Sequence, residues 1–85
     1  MQKSLHTDQH RTLCELLREL RIEAKLTQVQ MAEAIDEPQS MVSRVEVGQR
    51  RLDILELRQW LAALDMSLPV FVRKLESRLS TADAS

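Results

Sequence analysis

An all-α fold is predicted for this chain by three features of its sequence. The 85 residues include one glycine and two prolines, so few residues interrupt helices. Aromatic residues, which favour strands, make up 2% of the chain. Apolar residues recur at spacings of three and four, the period of an amphipathic helix. A chain of this length has room for one domain with a small core.

The first helix is predicted between about Thr7 and about Lys25. Charged residues fill the positions between its apolar ones, so one face is expected to be buried and the other solvated. The apolar positions are Leu13, Leu16, Leu17, Leu20 and Ala24.

Two short helices are predicted next, separated by a break at Asp36-Glu37-Pro38. Thr27 with Gln30 three residues later forms the pattern of a capping box, which opens helix two. Pro38 lacks an amide hydrogen and disfavours helical geometry in the residue before it, so helix three must start anew there. Gly48 is the predicted end of helix three, since glycine is common just past a helix C-terminus.

Helices four and five complete the predicted fold. Asp53 with Glu56 is a capping pair for helix four, and Ser67 is the predicted cap of helix five. The predicted domain covers residues 7–79, with flexible termini at 1–6 and 80–85. The apolar residues assigned to this half of the chain exceed what a small core needs, so they either complete the monomer or form a dimer interface, which we favour. They are Trp60, Leu68, Phe71, Val72, Leu75 and Leu79.

The two short helices have the proportions of a helix-turn-helix, in which the second helix enters the major groove of DNA. The net charge of −1 argues against a simple polycationic nucleic-acid binder. The charge is distributed unevenly, however. Residues 39–51 carry Arg44, Arg50 and Arg51 against Glu46 alone, so the second short helix and the loop after it are basic.

Three stretches, LTQVQMAEAI, QSMVSRVEVGQRR and LRQWLAAL, resemble the XRE family of helix-turn-helix proteins, named after phage repressor and Cro. The resemblance runs from about Leu17 to Leu68 in one ungapped register. It implies a compact five-helix, lambda-repressor-like domain with the helix-turn-helix at helices two and three.

The resemblance also implies roles for individual residues. Side chains at the start of the recognition helix read bases, while flanking residues bind phosphates. Met41 is a further candidate for contact with a thymine methyl group. The implied base contacts are Gln39, Ser40 and Arg44, the implied phosphate contacts are Gln28, Ser43, Gln49, Arg50 and Arg51, and the implied structural ion pair is Arg21 with Glu46.

Two positions depart from the family's pattern. Asp36 stands where the family usually has a glycine, so it must adopt a left-handed backbone conformation. Pro38 stands where the family often has a serine cap, and it cannot cap with a side chain. The start of the recognition helix at Gln39 is therefore defined from sequence only to within about one residue.

No metal or cofactor is expected. His6, His10 and Cys14 are spaced four apart on one helix face, but the first and third lie roughly 12 Å apart along the axis, too far to share one ion. A site built from one pair and completed by another chain is the alternative. Cys14 is expected to be a buried apolar residue.

The resemblance implies a dimeric repressor that binds double-stranded DNA. We expect it to be cytoplasmic, because the sequence has one cysteine and no apolar leader or membrane-spanning stretch. The alternative is an antitoxin-like interaction protein that holds a partner protein through helix five and autoregulates through DNA binding. An enzyme is not expected, since there is no glycine-rich phosphate loop and no nucleophile paired with a base.

Overall fold

The computed structural model describes the backbone of residues 2–84 and the side chains of residues 8–81. Over that range the chain is all-α, as predicted, and it contains five helices without any strand. The helices are α1 (Gln2–Glu23), α2 (Gln28–Ile35), α3 (Gln39–Glu46), α4 (Ile54–Ala63) and α5 (Leu68–Ala84).

The outer helix ends differ from the predicted ones. α1 begins at Gln2 rather than near Thr7, and α5 continues past Leu79 to Ala84. Neither extension contains a glycine or a proline, so no residue there stops a helix. Helical backbone therefore reaches into both segments that were expected to be flexible, 1–6 and 80–85. The domain boundaries at 7 and 79 stay a prediction.

One hydrophobic core joins all five helices. α1 packs against α3 and α5, α2 packs against α3 and α4, and α4 packs against α5. The core therefore packs against the inward-facing sides of the two short helices. Its members are Cys14, Leu16, Leu17, Leu20, Met31, Ala32, Ile35, Val42, Val45, Trp60, Leu61, Leu64 and Phe71.

The surplus of apolar residues in α4 and α5 is divided between the inside and the outside. Trp60 and Phe71 are fully buried in the monomer, so they are not available to a partner. Leu75 also packs against the core. Val72, by contrast, is 42% exposed and lies outside the core. Part of the predicted dimer face therefore completes the monomer.

Three of the helices are followed within two positions by a residue other than glycine that has a left-handed backbone conformation. Lys25, Asp36 and Asp65 have φ values of 62°, 57° and 56°. Each follows an α-helix closely, where such a conformation lets backbone amides bind the last carbonyl groups of the helix. None of the described helices is long and apolar enough to cross a membrane.

Candidate nucleic-acid interface

The N-terminus of α2 is set by the predicted capping box. The Thr27 hydroxyl accepts a hydrogen bond from the Gln30 backbone amide at 3.1 Å, and the Gln30 side chain accepts one from the Thr27 amide at 2.9 Å. Gln28 is consequently the first residue of the helix. Free amides at this end attract anions, which is the geometry that a phosphate contact needs.

The turn between α2 and α3 depends on Asp36. With φ 57° and ψ 47°, Asp36 is the C-cap of α2, and the Glu37 amide donates back to the Ala32 carbonyl at 2.9 Å. Pro38 then adopts an extended conformation and makes no side-chain cap. α3 begins at Gln39, the residue at which the sequence placed it.

α3 presents one apolar face inward and one polar face outward. Val42 and Val45 are buried in the core, at 0% and 2% exposure. Gln39, Ser40 and Arg44 are exposed together on the other side. An eight-residue helix thus carries a flat polar surface on a rigid support.

Two further α3 residues lie at the edge of that surface. Ser43 is half-buried. Met41 is half-buried too and packs against the core, and its contact with a thymine methyl group stays a prediction.

A buried ion pair ties α3 to α1. Arg21 Nε lies 2.6 Å from Glu46 Oε2, and Arg21 Nη2 lies 3.1 Å from Glu46 Oε1. A third donor of the same guanidinium, Nη1, binds the Leu26 carbonyl at 2.7 Å. The arginine side chain is 10% exposed and the glutamate side chain 2%. The pair therefore fixes the C-terminal end of α3 and the loop before α2.

Two glutamines continue from this ion pair to the surface. Gln28 Nε2 donates to Glu46 Oε1 at 3.1 Å. Gln39 Nε2 lies 3.4 Å from Gln28 Oε1. The structure thereby brings Arg21, Glu46, Gln28 and Gln39 together in one chain of contacts. The family resemblance implied the pair of Arg21 with Glu46. The sequence did not indicate that Gln28 binds Glu46 or that Gln39 approaches Gln28, because these residues are 18 and 11 positions apart.

The loop after α3 turns at Gly48, whose φ is 86°. Gln49 and Arg51 are exposed on this loop. Arg50 is already engaged: its Nη2 lies 2.9 Å from Glu56 Oε2, and its Nη1 binds the Arg51 carbonyl at 2.9 Å. The hydrogen bond between Arg50 and Glu56 raises the pKa of the arginine and lowers the pKa of the carboxyl group. Arg50 therefore joins the loop to α4.

His10 and Cys14 lie beneath the same loop. His10 Nε2 is 3.3 Å from the Gly48 carbonyl oxygen and 3.6 Å from Cys14 Sγ. Burial raises the pKa of the Cys14 thiol, with an opposing effect of Arg51. Among side chains 8–81, no three histidine, cysteine, aspartate or glutamate residues converge as metal ligands. The side chain of His6 lies outside the described residues.

The capped α2, the left-handed turn and the outward polar face of α3 define a helix-turn-helix. The helix-turn-helix family HTH_3 matches residues 17–71. The chain belongs to this family, the XRE-type helix-turn-helix proteins, which are DNA-binding transcriptional regulators. None of the curated proteins matches the chain in sequence.

Several solved structures share the fold. An XRE-family like protein from Pseudomonas syringae pv. tomato is 32% identical over 91% of this chain and 94% of its own, with a TM-score of 0.81. The restriction-modification controller protein C.Esp1396I, solved as a tetramer in complex with its natural 35 base-pair operator, is 22% identical over 84% of this chain and 93% of its own, with a TM-score of 0.77. The clp gene regulator ClgR from Corynebacterium glutamicum is 21% identical over 89% and 81%, with a TM-score of 0.78.

Proposed function

We propose that this protein is a dimeric repressor that binds a palindromic operator, with α3 of each subunit in a major groove. The observation that carries the proposal is the outward projection of Gln39, Ser40 and Arg44 from a helix whose opposite face is locked into the core. Side chains on the first turns of a recognition helix are the ones that reach base edges.

The three exposed side chains of α3 have the chemistry for reading bases. The amide of Gln39 can bond the N6 and N7 atoms of adenine together, and the guanidinium of Arg44 can bond O6 and N7 of guanine. Ser40 is short, so it allows close approach of the helix and can donate to a base or a phosphate. Each good two-bond contact of this kind discriminates by about 1–3 kcal/mol.

The residues flanking α3 are suited to phosphates. Gln28 lies at the positive N-terminal end of α2, and Ser43, Gln49 and Arg51 lie beside or just after α3. Arg50 would have to release Glu56 before it could bind a phosphate, so we propose that Arg51 is the principal basic contact of the loop. Such contacts orient the protein without reading sequence.

A second copy of the chain would bring a second recognition helix to the operator, with half-sites about 34 Å apart. We define the α4–α5 surface as Leu55, Met66, Leu68 and Val72. Leu55 is 72% exposed and shares a groove with Met66 and Leu68, and Val72 follows Leu68 by four residues on α5. The tetramer of C.Esp1396I on its operator supports assembly of this fold on DNA.

The same apolar surface is what favours the second candidate function, an antitoxin-like protein that holds a different partner. The two candidate functions predict different oligomeric states for the protein in the absence of DNA. A dimer in solution supports the repressor, whereas a stable monomer that pairs only with a different protein supports the alternative.

The test is selection of bound duplexes from random DNA, followed by affinity measurements on the selected operator. The wild-type protein should select two half-sites related by a two-fold axis. Gln39→Ala and Arg44→Ala should each relax the preference at one base position per half-site, while Gln28→Ala should weaken all sequences alike. Gln9→Ala, at an exposed position of α1, is the control. Failure to select any sequence would overturn the proposal.

A further inference from the structure

Side chains linked by hydrogen bonds run from the buried ion pair to the first residue of α3, and we call them the polar chain. The positions of donors and acceptors give this polar chain a defined direction. Glu46 is nearly enclosed, with a side chain that is 2% exposed, and Gln28 is half-buried. Gln39 is exposed at the outer end. The inner end is thus held by the core, and the outer end faces solvent, on the side where the proposed function places a base.

The direction of the polar chain follows from which groups donate a hydrogen bond and which accept one. Arg21 is always charged and donates to both oxygens of Glu46, so that carboxylate is ionised and can only accept. Gln28 must therefore turn its NH2 group toward Glu46, which leaves its carbonyl oxygen facing Gln39. An accepting oxygen there requires the NH2 group of Gln39. This orientation of both amides rests on the charge of Glu46 rather than on the positions of hydrogens.

Gln39 is left with a restricted set of hydrogen-bonding groups. One of its two N–H groups points to Gln28, so one N–H donor and the carbonyl acceptor remain for DNA. Adenine offers an acceptor, N7, beside a donor, N6, and matches this set. Guanine offers two acceptors, N7 and O6, and would leave the carbonyl of Gln39 against another acceptor.

We propose that Glu46 is a specificity-determining positioning residue, which acts through Gln28 to orient the amide of Gln39 for adenine and against guanine. This inference rests on the proposed function, since it requires Gln39 to contact a base. It assigns the buried carboxylate a role in reading DNA besides joining α1 to α3. Replacing the carboxylate by an amide lets Gln28 turn over, because an amide both donates and accepts. Gln39 can then turn as well and offer its whole NH2 group to guanine.

Two variants test the polar chain at different contacts. Glu46→Gln keeps the shape of the side chain and an acceptor for Arg21, but it removes the charge that fixes the orientation of the Gln28 amide. Gln28→Met leaves the ion pair intact and removes the middle link, so it decides the matter if Glu46→Gln does not fold. Gln9→Met makes the same substitution at an exposed position of α1, away from the proposed dimer surface, and is the matched control. Gln39→Ala identifies the base position that Gln39 reads.

The readout is the ratio of affinities for adenine and guanine at that one position, with the rest of the operator unchanged. Lost phosphate contacts weaken both sequences equally, so the ratio reports orientation rather than stability or overall affinity. We expect the ratio to fall by about five-fold in both test variants, the effect of one ordinary hydrogen bond, and to stay constant in Gln9→Met.

The outcomes separate this inference from the proposed function. If the wild-type protein selects no operator, the proposed function fails and the inference with it. If an operator is selected but Gln39→Ala changes no base preference, the inference alone is overturned. It is also overturned if Gln39 reads a base and the ratio is unchanged either in Gln28→Met or in a folded Glu46→Gln variant.

Discussion

Arg21 and Glu46 place two opposite charges in the interior of a very small domain. Removing both from water is costly, and only good geometry with further hydrogen bonds offsets that cost. Here the guanidinium contacts both carboxylate oxygens and a backbone carbonyl, and the carboxylate also accepts from Gln28. The pair is therefore well satisfied, and its stability depends on the presence of both partners.

Truncating one partner should destabilise the fold strongly. Arg21→Met leaves the carboxylate of Glu46 buried without its counter-charge, and we expect the free energy of unfolding to fall by about 3–5 kcal/mol. Urea denaturation measures it. The double variant Arg21→Met/Glu46→Leu should lose much less than the sum of the single losses, since no charge is stranded. Arg78→Met, which breaks the exposed pair with Glu19, is the control; a loss as large as that of Arg21→Met would refute the argument.

Arg50 is a basic residue that pairs with Glu56, and in the proposed function this carboxylate would compete with a DNA phosphate for it. Glu56→Gln removes the charge of that partner but keeps an acceptor for the capping box at Asp53, which glutamine also satisfies. We expect non-specific DNA affinity to rise and the salt dependence of binding to steepen by about one counterion. Titrations at several salt concentrations measure both. An unchanged salt slope would mean that Arg50 stays with the loop or never reaches a phosphate.

At the scale of the element, α3 is held by its neighbours and by backbone conformations rather than by side-chain caps. Pro38 supplies no cap at its start, and the helix ends through Val47 into the left-handed Gly48. The preceding turn depends on the left-handed Asp36. An eight-residue helix is marginal alone, so the positions of these turns and the burial of Val42 and Val45 determine where it lies.

Substitutions at the two left-handed residues that flank α3, Asp36 and Gly48, should differ in their effect on stability. A Cβ on Gly48 would meet His10 Cδ2 at 3.6 Å, an ordinary contact, so Gly48→Ala is opposed by backbone conformation alone and should cost about 1–2 kcal/mol. Asp36→Gly relieves the same strain and should be neutral to slightly stabilising, after the entropy of a more flexible unfolded chain is included. Thermal unfolding compares the two. Stabilisation by Gly48→Ala would contradict this account.

For the whole molecule, the question is what covers the apolar residues that the monomer leaves outside. The core takes Trp60 and Phe71, whereas Leu55 and Val72 remain exposed at 72% and 42%. A contiguous apolar surface of this kind is typical of an interface. In the proposed dimer, the location of that interface decides how far apart the two recognition helices lie.

A charge on the α4–α5 surface should separate the proposed dimer. Leu55→Glu places an unpaired carboxylate in the interface, so we expect a monomer in sedimentation experiments and much weaker binding to a two-half-site operator. Binding to a single half-site should change little. Ile22→Glu, at an exposed position of α1, is the matched control. If Leu55→Glu remains a dimer, the interface lies elsewhere.

Much of the architecture could be predicted because it depends on neighbours in sequence. The boxes at Thr27 and Asp53 span three residues each, and the break at Pro38 is a property of proline itself. The start of α3 at Gln39 follows from these local rules. The outer ends of α1 and α5 were misplaced, since helix ends without a strong stop signal have no local marker.

By itself the sequence determined the five helices, their caps and the family to which they belong, because periodicity and capping act within a few residues. Only the tertiary structure decided that Trp60 faces inward, that Arg50 binds Glu56, and that Glu46 reaches Gln39 through Gln28. Those contacts depend on how helices pack against one another. Side chains far apart in sequence meet only once the packing of helices has set the distances between them.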